Sequence, residues 1–333
     1  MTKGPPLLSL KEIDNQGTAP TLDWMQDDEV NHPHDHLVRK MFGEPETAAS
    51  FFRAYLPDSV GKQVTAGNLH CEPASFIDGS LRGSAADLLF RVGEPGEEEG
   101  MFLYCLFEHQ RQPDKWMPLR LLRYMVRIWE SYLEKHPGAV SLPPVLPIVL
   151  HQGKSGWGVA KTFGDLVDMQ EEIAGDIRQA LPDFSFFLVD LAGIPFERIE
   201  GNLAGRLTLQ ALKAVAEDKL GEFLDVSGSL LKAIYEAETP SDLGLVLLKY
   251  FFFTDTSVDK QAFQGMVKTL DSPPIEEATM TLAEQYKQEG IEQGIETKER
   301  EIVLHMNATG MDVDTIAQAT GIPQPKVLQY LAG

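Results

Sequence analysis

Asp87 and Glu108 are two acids in otherwise apolar surroundings, ADLLFRV (86–92) and MFLYCLFEHQ (101–110). An ionised carboxylate inside a buried strand is costly unless it has a partner, and a divalent cation is the cheapest partner for two. Strand alternation puts Glu108 and Gln110 on one face of the second run and His109 on the other. Asp87 precedes Glu108 by 21 residues across the loop GEPGEEEG, so a hairpin brings both carboxylates within reach of one ion. The segment RQPDKWMPLRLLRYMVRIWESYL (111–133) follows at once, with Arg120, Arg123 and Arg127 recurring at i, i+3 and i+7 and Arg111 and Lys115 beside them. Two carboxylates, a hard cation and a cationic rim are what hydrolysis of a phosphodiester needs. Asp87 and Glu108, with the carbonyl of His109, would supply oxygen ligands for Mg²⁺, and the arginines would hold flanking phosphates.

The rest of the chain bounds that reading. Its 333 residues carry a formal charge of −21, with 43% hydrophobic and 24% charged residues. Such acidity repels nucleic acid and anionic membrane alike, so contact with DNA has to come from a local basic surface. Cys71 and Cys105 have no zinc-type spacing and suit a reducing compartment. The opening MTKGPPLLSL is not a signal peptide, and the longest apolar run, LPPVLPIVL (142–150), is too short to span a bilayer; the expected location is cytoplasmic.

Residues 1–30, rich in Pro, Gly and Asp, read as a poorly ordered arm. HPHDHLVRKMFGEPETAASFFRAYLP (32–57) reads as helix, turn, helix, with Leu37, Met41 and Phe42, then Phe51, Phe52 and Tyr55, as the apolar sides. His32, His34 and His36 alternate at the helix start and share no helical face, which argues against a metal site. Strands are expected at 69–77, 84–93, 101–110, 142–151 and 184–191, and helices at 113–134 and 162–180. The first of these helices carries Leu119, Leu122, Met125, Val126 and Trp129 as its apolar stripe. Beyond 195 the pattern is helical: 203–220, 226–237, 241–253 and 258–270. After the break at Ser272-Pro273-Pro274 comes an acidic stretch, nine acids against three bases between Asp271 and Glu301, in which EGIEQGIE repeats a glycine. It reads as a linker or self-association helix. VDTIAQATGIPQPKVLQYLAG (313–333) has a helix–turn–helix pattern, but its second helix offers only Lys326 as a base, which favours a packing element over a DNA reader.

HDHLVRKMFGEPETAASFFRAYLP, FIDGSLRGSAADLLFRV, FLYCLFEHQRQPDKWMPLRLLRYMVRIWESYL and LPPVLPIVLHQG resemble the successive blocks of the Rpn family. These are recombination-promoting nucleases, also described as YhgA-like transposases, of the PD-(D/E)XK nuclease superfamily. The resemblance spans about 33–195 in order, and the glycine-punctuated segment and the IAQATGI ending also resemble that family's C-terminus. It implies an α/β fold: a PD-(D/E)XK-like mixed sheet flanked by helices at 31–195, then a helical region at 196–274. An acidic helical tail with a helix–turn–helix-like end follows at 275–333. It also implies a Mg²⁺-dependent DNA endonuclease that promotes recombination.

Asp87 and Glu108 match the two motif acids and are the expected metal ligands. Gln110 falls where the superfamily motif has lysine; it can orient a water or a phosphate but cannot act as a charged stabiliser or base. Arg91, on the strand face of Asp87, or Lys115 would replace that charge, and Arg120 and Arg123 would contact phosphate. Asp35 and Glu46 are outer partners of the metal by this reading, Asp78 is a turn residue in IDGS, and His151-Gln152-Gly153 departs from the Tyr-His-Gly expected of the family. The competing reading is a catalytically decayed nuclease fold, a DNA-associated or assembly scaffold acting through its helical C-terminus, which the missing lysine and the acidity favour. Homo-oligomerisation through the C-terminal helices is expected in either case.

Overall fold

In a computed structural model of the chain, the structure describes residues 33–72, 88–93, 100–108, 113–168, 175, 177–235, 242–254 and 260–332. Two helices open it, α1 (Pro33–Phe42) and α2 (Pro45–Tyr55), followed by the single turn α3 (Asp58–Gly61). The proline at the start of α2 suits a position whose N–H has no helical acceptor. Then come β1 (Leu69–Cys71), β2 (Leu88–Val92), β3 (Met101–Glu108), α4 (Met117–Lys135), β4 (Val145–His151) and β5 (Phe187–Asp190). The remaining helices are α5 (Leu203–Glu217), α6 (Leu220–Tyr235), α7 (Asp242–Phe253), α8 (Lys260–Lys268), α9 (Pro273–Ala308), α10 (Val313–Thr320) and α11 (Gln324–Ala332).

The five strands form one mixed sheet in sequence order. β1, β2 and β3 pair antiparallel, whereas β3–β4 and β4–β5 are parallel, with α4 as the crossover between β3 and β4. Alternation divides the strand residues between two cores. Leu88, Phe90, Val92, Leu103, Cys105, Ile148, Leu150 and Val189 face the large helical layer, where Leu37, Phe52, Leu212, Phe223 and Phe251 also lie. Leu89, Phe102, Tyr104, Leu106, Val145 and Val149 face α4, which buries Met117, Leu121, Tyr124, Met125, Ile128 and Tyr132 against them. The fold is α/β in three layers.

The apolar stripe expected on α4 is corrected by this packing. Leu119 and Val126 are each 41% exposed, and the buried face is rotated toward Leu121, Tyr124 and Ile128. The side of the helix that packs on Phe102, Tyr104 and Val149 is the one carrying Leu121, Tyr124 and Ile128, which leaves two of the expected residues outside. The helix also begins at Met117 instead of Pro113, because Asp114 forms the turn before it, accepting from the Trp116 N–H at 2.8 Å. Of the helix expected at 162–180, Gly175 and Ile177 are helical and residues 169–174 and 176 lie outside the described residues; the stretch also holds the short 3₁₀ turns Gly164–Leu166 and Arg178–Ala180. The first is held by the Asp183 carboxylate, which accepts from Gly164 N at 3.0 Å. No helix among the described residues is long and apolar enough to cross a membrane.

Val303 of α9, Ile316, Ile322, Val327 and Tyr330 make a separate small core for the last three helices. Asp312 caps α10 by accepting from Thr315 N at 2.8 Å, and Gly321 ends it at φ 76°, a left-handed value that glycine takes without strain.

Candidate active site

A parallel strand followed by a helix that returns over the sheet puts the helix N-terminus at the strand's carboxyl end, where open α/β sheets gather their ligands. Three in-phase positions meet at that end: Glu108 is the register partner of His151, and His151 that of Asp190. In sequence, Glu108 continues the alternation of Phe102, Tyr104 and Leu106, which face α4. Asp87 and Gln110 lie outside the described residues. Asp87 stands two positions before Leu89 in the sequence, and Leu89 lies in the α4-side core.

His151 is completely buried. Its Nε2 lies 3.2 Å from the Ser155 carbonyl, which can only accept, so Nε2 carries the proton and Nδ1 is the acceptor nitrogen. That Nδ1 is buried with no hydrogen-bond partner among the described residues. The Trp157 ring meets the imidazole edge-on at 5.3 Å. Gly153 is required by this packing, since a Cβ there would sit 2.5 Å from His151 Nε2. Asp190 organises the same loop: its carboxylate accepts from Trp157 N at 2.7 Å and from Ala192 N at 3.3 Å. Lys213 of α5 donates to the Leu191 carbonyl at 2.8 Å, fixing the turn that leaves β5.

Gln152, also buried, points to the other side of the sheet end. Its Nε2 lies 3.2 Å from His34 Nδ1, and the Tyr250 hydroxyl lies 2.9 Å from the same atom. Burial pushes the Tyr250 phenol well above its ordinary pKa, so it remains a donor, and the Gln152 amide N–H₂ can only donate. Both groups lie within hydrogen-bond distance of His34 Nδ1. His34 thus joins α1, the end of β4 and α7. Asp35 is buried in the first turn of α1, and Glu46 is exposed in the first turn of α2. Asp78 lies outside the described residues.

The basic residues divide. Arg91 pairs with Glu72 at 3.2 Å, both side chains 16% exposed, and it lies opposite Phe102. Glu108 is six residues further along β3, roughly 20 Å away at about 3.3 Å per residue. Arg91 therefore does not take the place of a motif lysine beside Glu108. Lys115 is exposed at the approach to α4, its Nζ 5.3 Å from the Trp116 ring centre. Arg120, in the first turn, pairs with Asp114 at 3.3 Å. Arg123, one turn further, is exposed and has no ion-pair partner among the described residues; Arg127 pairs with Glu130 at 3.0 Å. No group of three or more His, Cys, Asp or Glu that could hold a metal occurs among the described residues. His34, Gln152 and Tyr250 were not among the residues expected from sequence to build the site. Their union joins positions up to 216 residues apart and leaves no local pattern.

Comparison with known proteins gives this geometry a family. No solved structure matches the chain. The chain is 26% identical over 303 residues to the "Inactive recombination-promoting nuclease-like protein RpnE" of Escherichia coli (strain K12), covering 89% of this chain and 96% of the relative. It is 27% identical over 297 residues to "Recombination-promoting nuclease RpnA", with the same coverage, and 26% identical over 264 residues to "Recombination-promoting nuclease RpnC", covering 78% and 82%, both from the same organism. The model of the family described as "Putative transposase, YhgA-like" matches residues 32–241, more than half of the chain and all of the sheet. This chain belongs to that family, whose curated members include the recombination-promoting nucleases.

Proposed function

We propose that this protein is a Mg²⁺-dependent DNA endonuclease with a PD-(D/E)XK-like core, in which Asp87 and Glu108 hold the metal and Gln110 orients water. The observation that carries the reading is the place of Glu108. It is the last residue of the central strand, at the end of the sheet where α4 begins with Lys115 and Arg120 nearby in sequence. The order of two helices, three antiparallel strands, a crossover helix and a parallel strand supports the fold assignment, and the relatives named as nucleases support the activity. A cytoplasmic location suits two cysteines that form no disulfide with each other.

The donor chemistry fits the metal: two carboxylates and the carbonyl of His109 are the hard oxygen ligands that Mg²⁺ takes. When bound, the ion supplies a polarised phosphoryl oxygen and a more acidic water. The chain's own residues do the rest. His151, held by Ser155 with Nδ1 as acceptor, receives a hydrogen bond from a buried water at the strand end that Glu108 shares. Gln110 orients the attacking water, and Arg123, with Lys115 and Arg120, engages the phosphates on either side.

The second reading, a decayed nuclease fold that serves as a scaffold, is favoured by two observations. Gln110 stands where the motif has lysine, and two curated relatives carry the word inactive in their names. Nicking of supercoiled plasmid by the wild type and by Glu108→Ala, with and without Mg²⁺, separates the two. Metal-dependent nicking lost in Glu108→Ala supports the endonuclease. A wild type with no nicking and no Mg²⁺-induced rise in thermal midpoint that Asp87→Ala abolishes supports the scaffold.

A further inference from the structure

β4 leaves the sheet at His151, and Gln152-Gly153-Lys154-Ser155-Gly156-Trp157 turn over its end. Two groups at the strand ends pin that turn. The His151 Nε2 lies 3.2 Å from the Ser155 carbonyl, and the Asp190 carboxylate accepts from Trp157 N at 2.7 Å. The same packing demands both glycines. A Cβ on Gly153 would stand 2.5 Å from His151 Nε2, and one on Gly156 3.2 Å from Asp190 Oδ2. Between these anchors the tip keeps one shape.

Lys154, Ser155 and Gly156 form the tip, and all three are exposed. Among the described residues, neither their backbone N–H groups nor the Ser155 hydroxyl has a hydrogen-bond partner. A fixed turn that offers several donors and one ammonium, and carries no acid, suits an anion. In this structure the anion is a carboxylate of the chain itself, since Lys154 pairs with Asp218. Asp218 stands in an unfavourable place. It caps the C-terminus of α5 at φ 57°, a left-handed value uncommon outside glycine, and it adds negative charge to the negative end of the helix dipole. Helix capping gives no reason for an acid there, whereas a cation across from it does. The two side chains are 57% and 31% exposed, and an ion pair so open to solvent is exchanged at little loss.

We propose that the turn Gly153–Gly156 holds a backbone phosphate of nucleic acid through Lys154, the Ser155 hydroxyl and the exposed N–H groups, and that this phosphate displaces Asp218. The choice of ligand rests on the nuclease reading. His151 is the register partner of Glu108 on the neighbouring strand. Paired strands lie about 4.8 Å apart and three residues span at most about 11 Å, so the Cα atoms of Lys154 and Glu108 are within about 16 Å. A phosphate on the turn and one beside Glu108 therefore fit on the same stretch of backbone. The turn adds a contact on the β4 side of the centre to those expected from α4.

Fluorescence anisotropy of a duplex with the full-length chain, over a salt series in EDTA so that nothing is cut, tests this. Lys154→Ala should lower the slope of log affinity against log salt by about 1 and weaken binding about tenfold, at an unchanged thermal midpoint. Asp218→Gly, which suits the left-handed cap, should tighten binding about threefold, and the gain should vanish in the Lys154→Ala background. If Lys154 only braced the turn through Asp218, both substitutions would weaken binding. That result overturns the proposal, as does a Lys154→Ala slope equal to that of the wild type, or a wild type that binds no duplex. Inorganic phosphate probes the other source. A rise in thermal midpoint with phosphate that Lys154→Ala abolishes, at unchanged duplex affinity, would assign the turn to free phosphate and overturn the backbone assignment. Plasmid nicking is read separately. A chain that never nicks yet shows the expected slopes keeps the turn and loses the nuclease centre, and one that nicks with an unchanged Lys154→Ala slope loses the turn alone.

Discussion

Glu108 and His151 are register partners, each the last residue of its strand, in the parallel pair at the centre of the sheet. An acid whose position is shared with a buried imidazole is held in a defined place by β pairing itself, with no dependence on a loop. The consequences can be tested around both residues.

The fit between Gly153 and the His151 ring should appear in stability. Gly153→Ala puts a methyl group where only 2.5 Å is available to Nε2, and costs about 1–3 kcal/mol by forcing the ring or loop to move. His151→Ala costs about 2–4 kcal/mol through the cavity and the lost hydrogen bond to Ser155. The double substitution should cost less than the sum, because the added methyl then meets only the Ser155 carbonyl oxygen, at 3.2 Å; urea midpoints of the four proteins check this.

Tyr250 should give the protein a defined alkaline limit. Its folded pKa is raised well above 10.0 by burial, so the folded state keeps a proton that the unfolded chain releases. The associated stability is complete below pH 10 and falls as pH rises past 10 toward the folded pKa, by about 1.4 kcal/mol per pH unit. Tyr250→Phe should be about 0.5–1.5 kcal/mol less stable at neutral pH through the lost bond to His34, and should decline less steeply above pH 10. Unfolding curves of the two proteins across that range decide it.

The arginines should separate into binding and structural groups. Arg123→Ala should weaken duplex binding and reduce the slope of log affinity against log salt by about 1, as expected for one phosphate contact. Arg91→Met should leave the slope unchanged while costing about 1–3 kcal/mol, because Glu72 loses its partner in a mostly buried place. Fluorescence anisotropy over a salt series, with a denaturation curve for each protein, measures both.

The terminal helices should not read DNA. Lys326, the lone base of α11, is 2.7 Å from Glu299, and its pKa is raised by that carboxylate and by Tyr330. Lys326→Ala should leave duplex affinity unchanged, and a loss of tenfold or more in anisotropy titrations would contradict this packing role.

The strands were legible because their signal is local: LLFRV, MFLYCLFE and VLPIVLH are apolar runs of strand length, bounded by Gly, Pro or polar clusters. The helices from α5 onward showed equally well in apolar periodicity. The buried face of α4 was misjudged because Leu119 and Val126 are as apolar as Leu121 and Ile128, and only the position of the sheet decides between them. Glu108 was singled out by its apolar surroundings, whereas His151 and Asp190 were not taken as site residues, since their relation to it comes from strand register across 43 and 82 residues of chain. Arg91 looked available in sequence because Glu72, its partner, sits on a strand whose pairing is not local.

Strand order equal to chain order has a consequence for how the molecule is made. Each strand is laid beside its predecessor, so the sheet can grow by edge addition during synthesis and never needs to admit a strand between two already joined. The contact of His34 with Tyr250 is different, since its two halves emerge 216 residues apart. In a nascent chain the sheet can therefore be complete before the His34–Tyr250 contact forms, which has to wait until α7 has left the ribosome.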